Sequence, residues 1–118
     1  MSAAAGAKAT ADRRNPDHNN EVLVVGRLST TAEARELPSG DEVVSWRLVV
    51  DPPATAARPG IDAIDCVAFS ARLRRAAMKW QPGDVIEVEG ALRRRFWRAG
   101  TSTASRFEVE VSRAARVG

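Results

Sequence analysis

Five stretches of this chain carry strand periodicity, and only one short stretch, between the third and fourth of them, changes to helical spacing. A period of two puts successive side chains on opposite faces, so such a chain must bury one face of a sheet, and one short helix cannot cover it. The class that follows is all-β, with the sheet closed on itself.

The first stretch, Glu21 to Leu28 (EVLVVGRL), is apolar on both faces, with Val22, Val24 and Leu28 on one side and Leu23 and Val25 on the other. A strand of this kind is buried twice, by its own core and by another chain, which makes Val22, Leu23, Val24 and Val25 candidate oligomer-interface residues. Gly26 inside it suggests a bend at a barrel corner. Ala32 to Pro38 is read as a short arm, followed by the turn Pro38-Ser39-Gly40-Asp41 and a second strand, Glu42 to Asp51, where Trp46, Leu48 and Val50 alternate with Ser45, Arg47 and Val49. Pro52, Pro53, Pro59 and Gly60 break the chain. A third strand, Ile61 to Phe69, sets Ile64, Cys66 and Ala68 against Asp65, Val67 and Phe69.

Leu73, Ala76, Ala77 and Trp80 then recur at helical spacing, with Arg72, Arg75 and Lys79 opposite, Ser70 as N-cap and Pro82-Gly83 as the stop. Val85 to Arg94 returns to strand, with Ile86, Val88, Gly90 and Leu92 facing in. Arg106 to Ser112 is the fifth strand, with Phe107, Val109 and Val111 facing in. Five strands with a helix between the third and fourth is the order of an OB-fold, a five-stranded Greek-key barrel. At 118 residues there is room for one such domain. It is expected over residues 20–118, behind a disordered tail over 1–19 that lacks apolar periodicity.

Charge locates the candidate site. The net +3 divides into −3 over residues 1–70 and +6 over 71–118, and 16 of the 18 basic residues are arginine, whose planar fork suits phosphates and stacks on rings. The segment Leu92 to Arg106 (LRRRFWRAGTSTASR) holds five arginines, no acid, two adjacent aromatics and a Gly/Ser/Thr-rich turn, and reads as a hairpin with a cationic tip. Arginines that track phosphates, beside exposed rings that stack on bases, are what a single-strand surface requires. The candidate DNA-binding residues are Arg93, Arg94, Arg95, Phe96, Trp97 and Arg98 of the hairpin, Phe69 on the outer face of the third strand, and Arg27 and Arg47 on the first two strands. Trp46 and Trp80 are in phase with aliphatic neighbours and read as core.

Several function classes drop out. One cysteine, Cys66, and one histidine, His18, cannot assemble a metal cluster or a disulfide, and no cofactor is expected. Asp62 and Asp65 point to opposite faces of a strand, while Glu87, Glu89, Glu108 and Glu110 lie on solvated faces, so no catalytic dyad forms. The reading is a binding protein and not an enzyme. No apolar run approaches the ~18 to 20 residues of a membrane span, and the N-terminus lacks a secretory apolar centre, which points to a cytoplasmic protein.

Asn20 to Leu28 (NEVLVVGRL), the Ser39-Gly40 turn, Cys66 to Phe69 (CVAF) running into a helix, and Pro82 to Arg95 (PGDVIEVEGALRRR) together resemble the bacterial single-stranded DNA-binding proteins. The resemblance covers about Asn20 to Val117. It implies an OB-fold barrel that assembles as a homotetramer in the nucleoid and binds single-stranded DNA without sequence preference in replication, recombination or repair. On it, Phe69 and Trp97 fall on stacking aromatics, and Arg93 and Arg95 on basic residues of the DNA path. Two further stacking positions fall on Ala54 and Ala63, Asp65 stands where a basic residue is common, and the Pro52 to Gly60 loop is short, so weaker binding or another path is expected. The chain stops at Arg116-Val117-Gly118 without the acidic tip by which the family recruits replication and repair proteins, as either a truncated chain or a tail-less paralogue would, which leaves that recruitment open. Single-stranded RNA is an alternative ligand, because stacking and phosphate contacts do not sense the 2′-hydroxyl. A protein-interaction or assembly subunit is the alternative from another class.

Overall fold

The computed structural model describes residues 17–118. The tail expected over 1–19 therefore lies, but for its last three residues, outside the described residues. Six strands and one helix follow in the order β1 (Val22–Leu28), β2 (Glu33–Glu36), β3 (Glu42–Val50), β4 (Asp62–Ala68), α1 (Ala71–Ala77), β5 (Val85–Ala99) and β6 (Ser102–Val117).

β1 closes the barrel by changing partners. It runs antiparallel to β5 from Val22↔Gly90 to Arg27↔Val85, and its last two residues also pair with β3 at Arg27↔Val49 and Leu28↔Leu48. At the crossing a Cβ on Gly26 would lie 2.7 Å from Val50 Cγ2 and 2.8 Å from the Val49 carbonyl, so only glycine lets the two backbones approach. β3–β4 and β5–β6 are antiparallel hairpin pairs, and the parallel pairing of β4 with β6 at Cys66↔Val109 completes the ring β1-β5-β6-β4-β3-β1. The five barrel strands and the position of the helix agree with expectation.

The arm over Ala32 to Pro38 is instead a sixth strand. β2 pairs with β3 from Glu33↔Ser45 to Glu36↔Glu42 and lies outside the ring. All four of its side chains are exposed, so it carries no apolar period to betray it. The turn is held by Leu37 N–H donating to the Asp41 carbonyl and Gly40 N–H to the Leu37 carbonyl, both at 2.8 Å.

The core joins Leu28, Val44, Trp46, Leu48, Cys66, Ala68, Ile86, Val88, Val109 and Val111 from the strands to Ala77 and Trp80 from the helix region. Each large aliphatic side chain so buried contributes about 1.5–3 kcal/mol. α1 starts where Ser70 caps it, its Oγ accepting from Leu73 N–H at 3.2 Å. The helix carries Trp80 to the barrel floor, edge-to-face with Trp46 at a ring separation of 5.1 Å.

The alternation fails beyond the barrel rim. Leu92 and Phe107, expected inside, are 45% and 56% exposed. They share the inward face with Val109 but lie on a β5–β6 ribbon that outruns the core. The ribbon is longer than the segments expected to form it: pairing continues to Ala99↔Ser102, across a two-residue turn at Gly100-Thr101. Gly100 has φ +66° and Thr101 does not have positive φ, the pattern of a II′ turn, whose twist matches the strands it joins.

Candidate nucleic-acid interface

Register converts the strand pairings into rows on the barrel's outer face. Arg47↔Asp65 and Arg93↔Glu108 are direct pairs, and the parallel β4–β6 register sets Asp65 beside Glu108. One row therefore reads Arg47, Asp65, Glu108, Arg93. The next row toward the hairpin tip contains Val49, Ala63, Arg106 and Arg95, and the row on the other side contains Ser45, Val67, Glu110 and Ala91. Trp97, paired with Ala104, lies farther out on the same face. Phe69, just past the end of β4, lies at the opposite end, level with Ser112. The two rings are thus eight residues of β6 apart, roughly 26 Å at the ~3.3 Å rise of a strand. Both are partly open, Phe69 at 41% and Trp97 at 43% exposure.

Most arginines on this face are held by acids. Arg47 Nε donates to Asp65 at 2.9 Å, and Arg106 reaches the other Asp65 oxygen at 3.9 Å. Arg93 donates to Glu110 at 3.0 Å, and Arg95 stands 3.8 Å from Glu108. The hydrogen bond and charge of Asp65 raise the Arg47 pKa above its ordinary value, against a small opposing effect of burial. Glu108 is buried, at 7% exposure, and Arg95 also lies over the Trp97 ring, 6.0 Å from its centroid. A cleft of about 290 Å3, lined in part by Ser29, Thr30, Thr31, Arg47, Asp65 and Arg106, opens beside this row.

The ribbon's reverse face differs. Arg94 lies over both Phe96 and Phe107, at 5.1 and 5.4 Å, and donates through Nε and Nη2 to Ser105 Oγ at 3.1 and 3.0 Å. The expected site residues are therefore divided. Phe69, Arg47, Arg93, Arg95 and Trp97 share the outer face, and Arg27 borders it beside Val49. Arg94, Phe96 and Arg98 point the other way, because adjacent strand residues face opposite sides. Arg106 was missing from the expected set; its pairing with Arg95 could be found only by aligning the two hairpin arms. Arg27 and Arg98 make no ion pair among the described residues.

Asn20 anchors the ribbon's base, its side chain donating to the Leu92 carbonyl at 2.7 Å and accepting from the Leu92 N–H at 2.8 Å. Cys66 lies under the acidic row, its thiol pushed up to about 12 by burial first and then by Asp65 and Glu108. It is no nucleophile at neutral pH. Among the described residues no group of His, Cys, Asp and Glu could hold a metal ion, and no helix is long and apolar enough to cross a membrane.

A closed barrel whose outer face combines arginines with two open rings is the form of an OB-type nucleic-acid-binding module. The chain belongs to the single-strand binding protein family, whose model matches residues 19–117. Members of that family bind single-stranded DNA and catalyse no reaction, and this chain is accordingly a non-enzymatic single-stranded DNA-binding protein. Comparison with individual curated sequences yields no match. Among solved structures, the chain is similar to the Plasmodium falciparum SSB in complex with ssDNA, with a TM-score of 0.72 and 18% identity, over 86% of this chain and 96% of that one. At that identity the likeness supports the OB-type fold alone.

Proposed function

We propose that the single strand crosses the outer face of β3, β4, β6 and β5, with Arg47, Arg93, Arg95 and Arg106 on its phosphates and Phe69 and Trp97 stacked on bases. The observation that carries this path is the placement of two open rings at either end of an arginine-bearing face. Stacking on an open ring is worth ~1–3 kcal/mol per base and tolerates any sequence. The Plasmodium falciparum SSB, which is similar in fold, was solved in complex with ssDNA. Arg27 borders the path beside Val49, whereas Arg94, Phe96 and Arg98 lie on the ribbon's other face, where a strand that folds over the hairpin tip would meet them next.

The domain proposed to do this begins at residue 20, and its assembly is proposed to run through β1. Leu23 and Val25 are exposed, at 64% and 44%, and Val22–Val25 pair along one edge only among the described residues, because β3 ends at Val50. An open edge with an apolar outer face suits pairing with a second copy, and two such dimers would make a homotetramer. Val22 and Val24 face the protomer's own core and support this edge from beneath. The protein would work on single strands exposed in the nucleoid during replication, recombination or repair.

The test is a titration of labelled oligo(dT), oligo(U) and a duplex of the same length at low salt. Binding to oligo(dT) well above duplex supports the reading. A flat signal with oligo(dT) contradicts it, and tighter binding of oligo(U) would replace DNA with RNA as the ligand.

A further inference from the structure

We propose that Asp65, Glu108 and Glu110 act as built-in counter-ions that the phosphates of the single strand must displace, holding affinity below what the arginines alone would give. This rests on the path proposed above.

Three carboxylates on the outer face of β4 and β6 occupy the four arginines that the path needs. Asp65 takes Arg47 at 2.9 Å and Arg106 at 3.9 Å, Glu108 takes Arg95 at 3.8 Å, and Glu110 takes Arg93 at 3.0 Å. Asp65 and Glu108 are neighbours across the parallel β4–β6 pair, so their charges repel each other and any phosphate laid over them. The arginines lie at the edges of this acidic strip, and three of the four are well exposed, with side-chain exposures of 53% for Arg47, 60% for Arg93 and 42% for Arg106. Exposed ion pairs of this kind are weak enough to be exchanged.

Glu108 makes the exchange costly at one place. Its side chain is 6% exposed and its one cation is Arg95, so an Arg95 that turned to a phosphate would leave a buried carboxylate uncompensated. Arg95 is also the arginine over Trp97, which couples the cost to the stacking ring. Salt enters on both sides of such an exchange. It screens the arginine–phosphate contacts but also loosens the arginine–carboxylate pairs, so the dependence of affinity on salt is flatter than four free arginines would produce.

The experiment measures oligo(dT) affinity across a salt series for the full chain and for Asp65→Asn, Glu110→Gln and Glu108→Gln, with Glu36→Gln as the control. Glu36 lies on β2, outside the ring, and makes no ion pair among the described residues. Asp65→Asn, which releases two arginines, is expected to tighten binding about 3- to 10-fold at low salt and to steepen the log–log salt slope by up to about one or two. Glu110→Gln should show a smaller gain, and Glu36→Gln less still. Glu108→Gln is read alongside thermal melting, and the substitutions at the half-buried Asp65 and Glu110 decide the matter if it unfolds. Unchanged or weaker binding in Asp65→Asn and Glu110→Gln, or an equal gain in Glu36→Gln, overturns the proposal. If neither parent nor variants bind oligo(dT), the proposed path fails with it; if the parent binds and the variants gain nothing, only the counter-ion role fails.

Discussion

At the scale of the residue, alternation showed which face a side chain takes but not whether that face is covered. Trp46, Cys66 and Trp80 are buried as their phase requires, whereas Leu92 and Phe107, in the same phase, stand open on the ribbon beyond the core. Phe96 and Trp97 are adjacent in sequence, yet a strand sends them to opposite faces. Cys66 offers a residue-level test. Its thiol is shifted from 9.0 to about 12, so at pH 8 the folded protein holds about one thiolate in ten thousand. A maleimide at pH 8 should leave the native protein unlabelled and react fully in guanidinium; fast native labelling would place the thiol at the surface. The sign of the linked stability follows from the raised value. Protonated Cys66 supports the fold fully below about pH 9, and that support is lost as pH climbs toward 12, by up to ~1.4 kcal/mol per unit. The chain has no tyrosine to add to this effect. Cys66→Ala should therefore lose part of the alkaline fall in thermal stability seen in the parent, and an identical fall in both would contradict the assignment.

At the scale of the element, the strands and α1 were legible because each buries one periodic face, and Ser70 and Pro82-Gly83 mark the helix ends chemically. β2 was not, since a strand exposed on both faces has no period. The length of the β5–β6 ribbon was hidden for a related reason: beyond the rim its pairing depends on backbone hydrogen bonds and on a turn at Gly100, not on burial. β1 was legible as unusual, being apolar on both faces, and the structure adds an edge at Val22–Val25 with pairing on one side only among the described residues. If that edge joins a second copy, Leu23→Glu should lower the solution mass of the protein while its fold, read by circular dichroism, survives. A parent that is already monomeric at tens of micromolar would remove the interface from the account.

At the scale of the whole molecule, the charge split along the chain shows where basic residues are concentrated but not how they are arranged. Arg93, Arg95 and Arg106 meet acids from β4 and β6, and register alone decides which of them share a face. That arrangement was out of reach of the sequence because it depends on the β5–β6 pairing and on the parallel β4–β6 pair, which joins residues some forty positions apart. The central claim is that one outer face, ending in Trp97, receives the strand, and the distribution of tryptophans makes it directly measurable. Trp46 and Trp80 are buried at 5% and 7% exposure, while Trp97 is 43% exposed, so Trp97 is the ring a bound base can quench. Tryptophan fluorescence is followed while oligo(dT) is added to the parent and to Trp97→Phe, which keeps a ring for stacking. The parent should show saturable quenching, and Trp97→Phe should bind by anisotropy with that quenching gone. Binding of oligo(dT) with no quenching in the parent, or with the same quenching in Trp97→Phe, would contradict that claim.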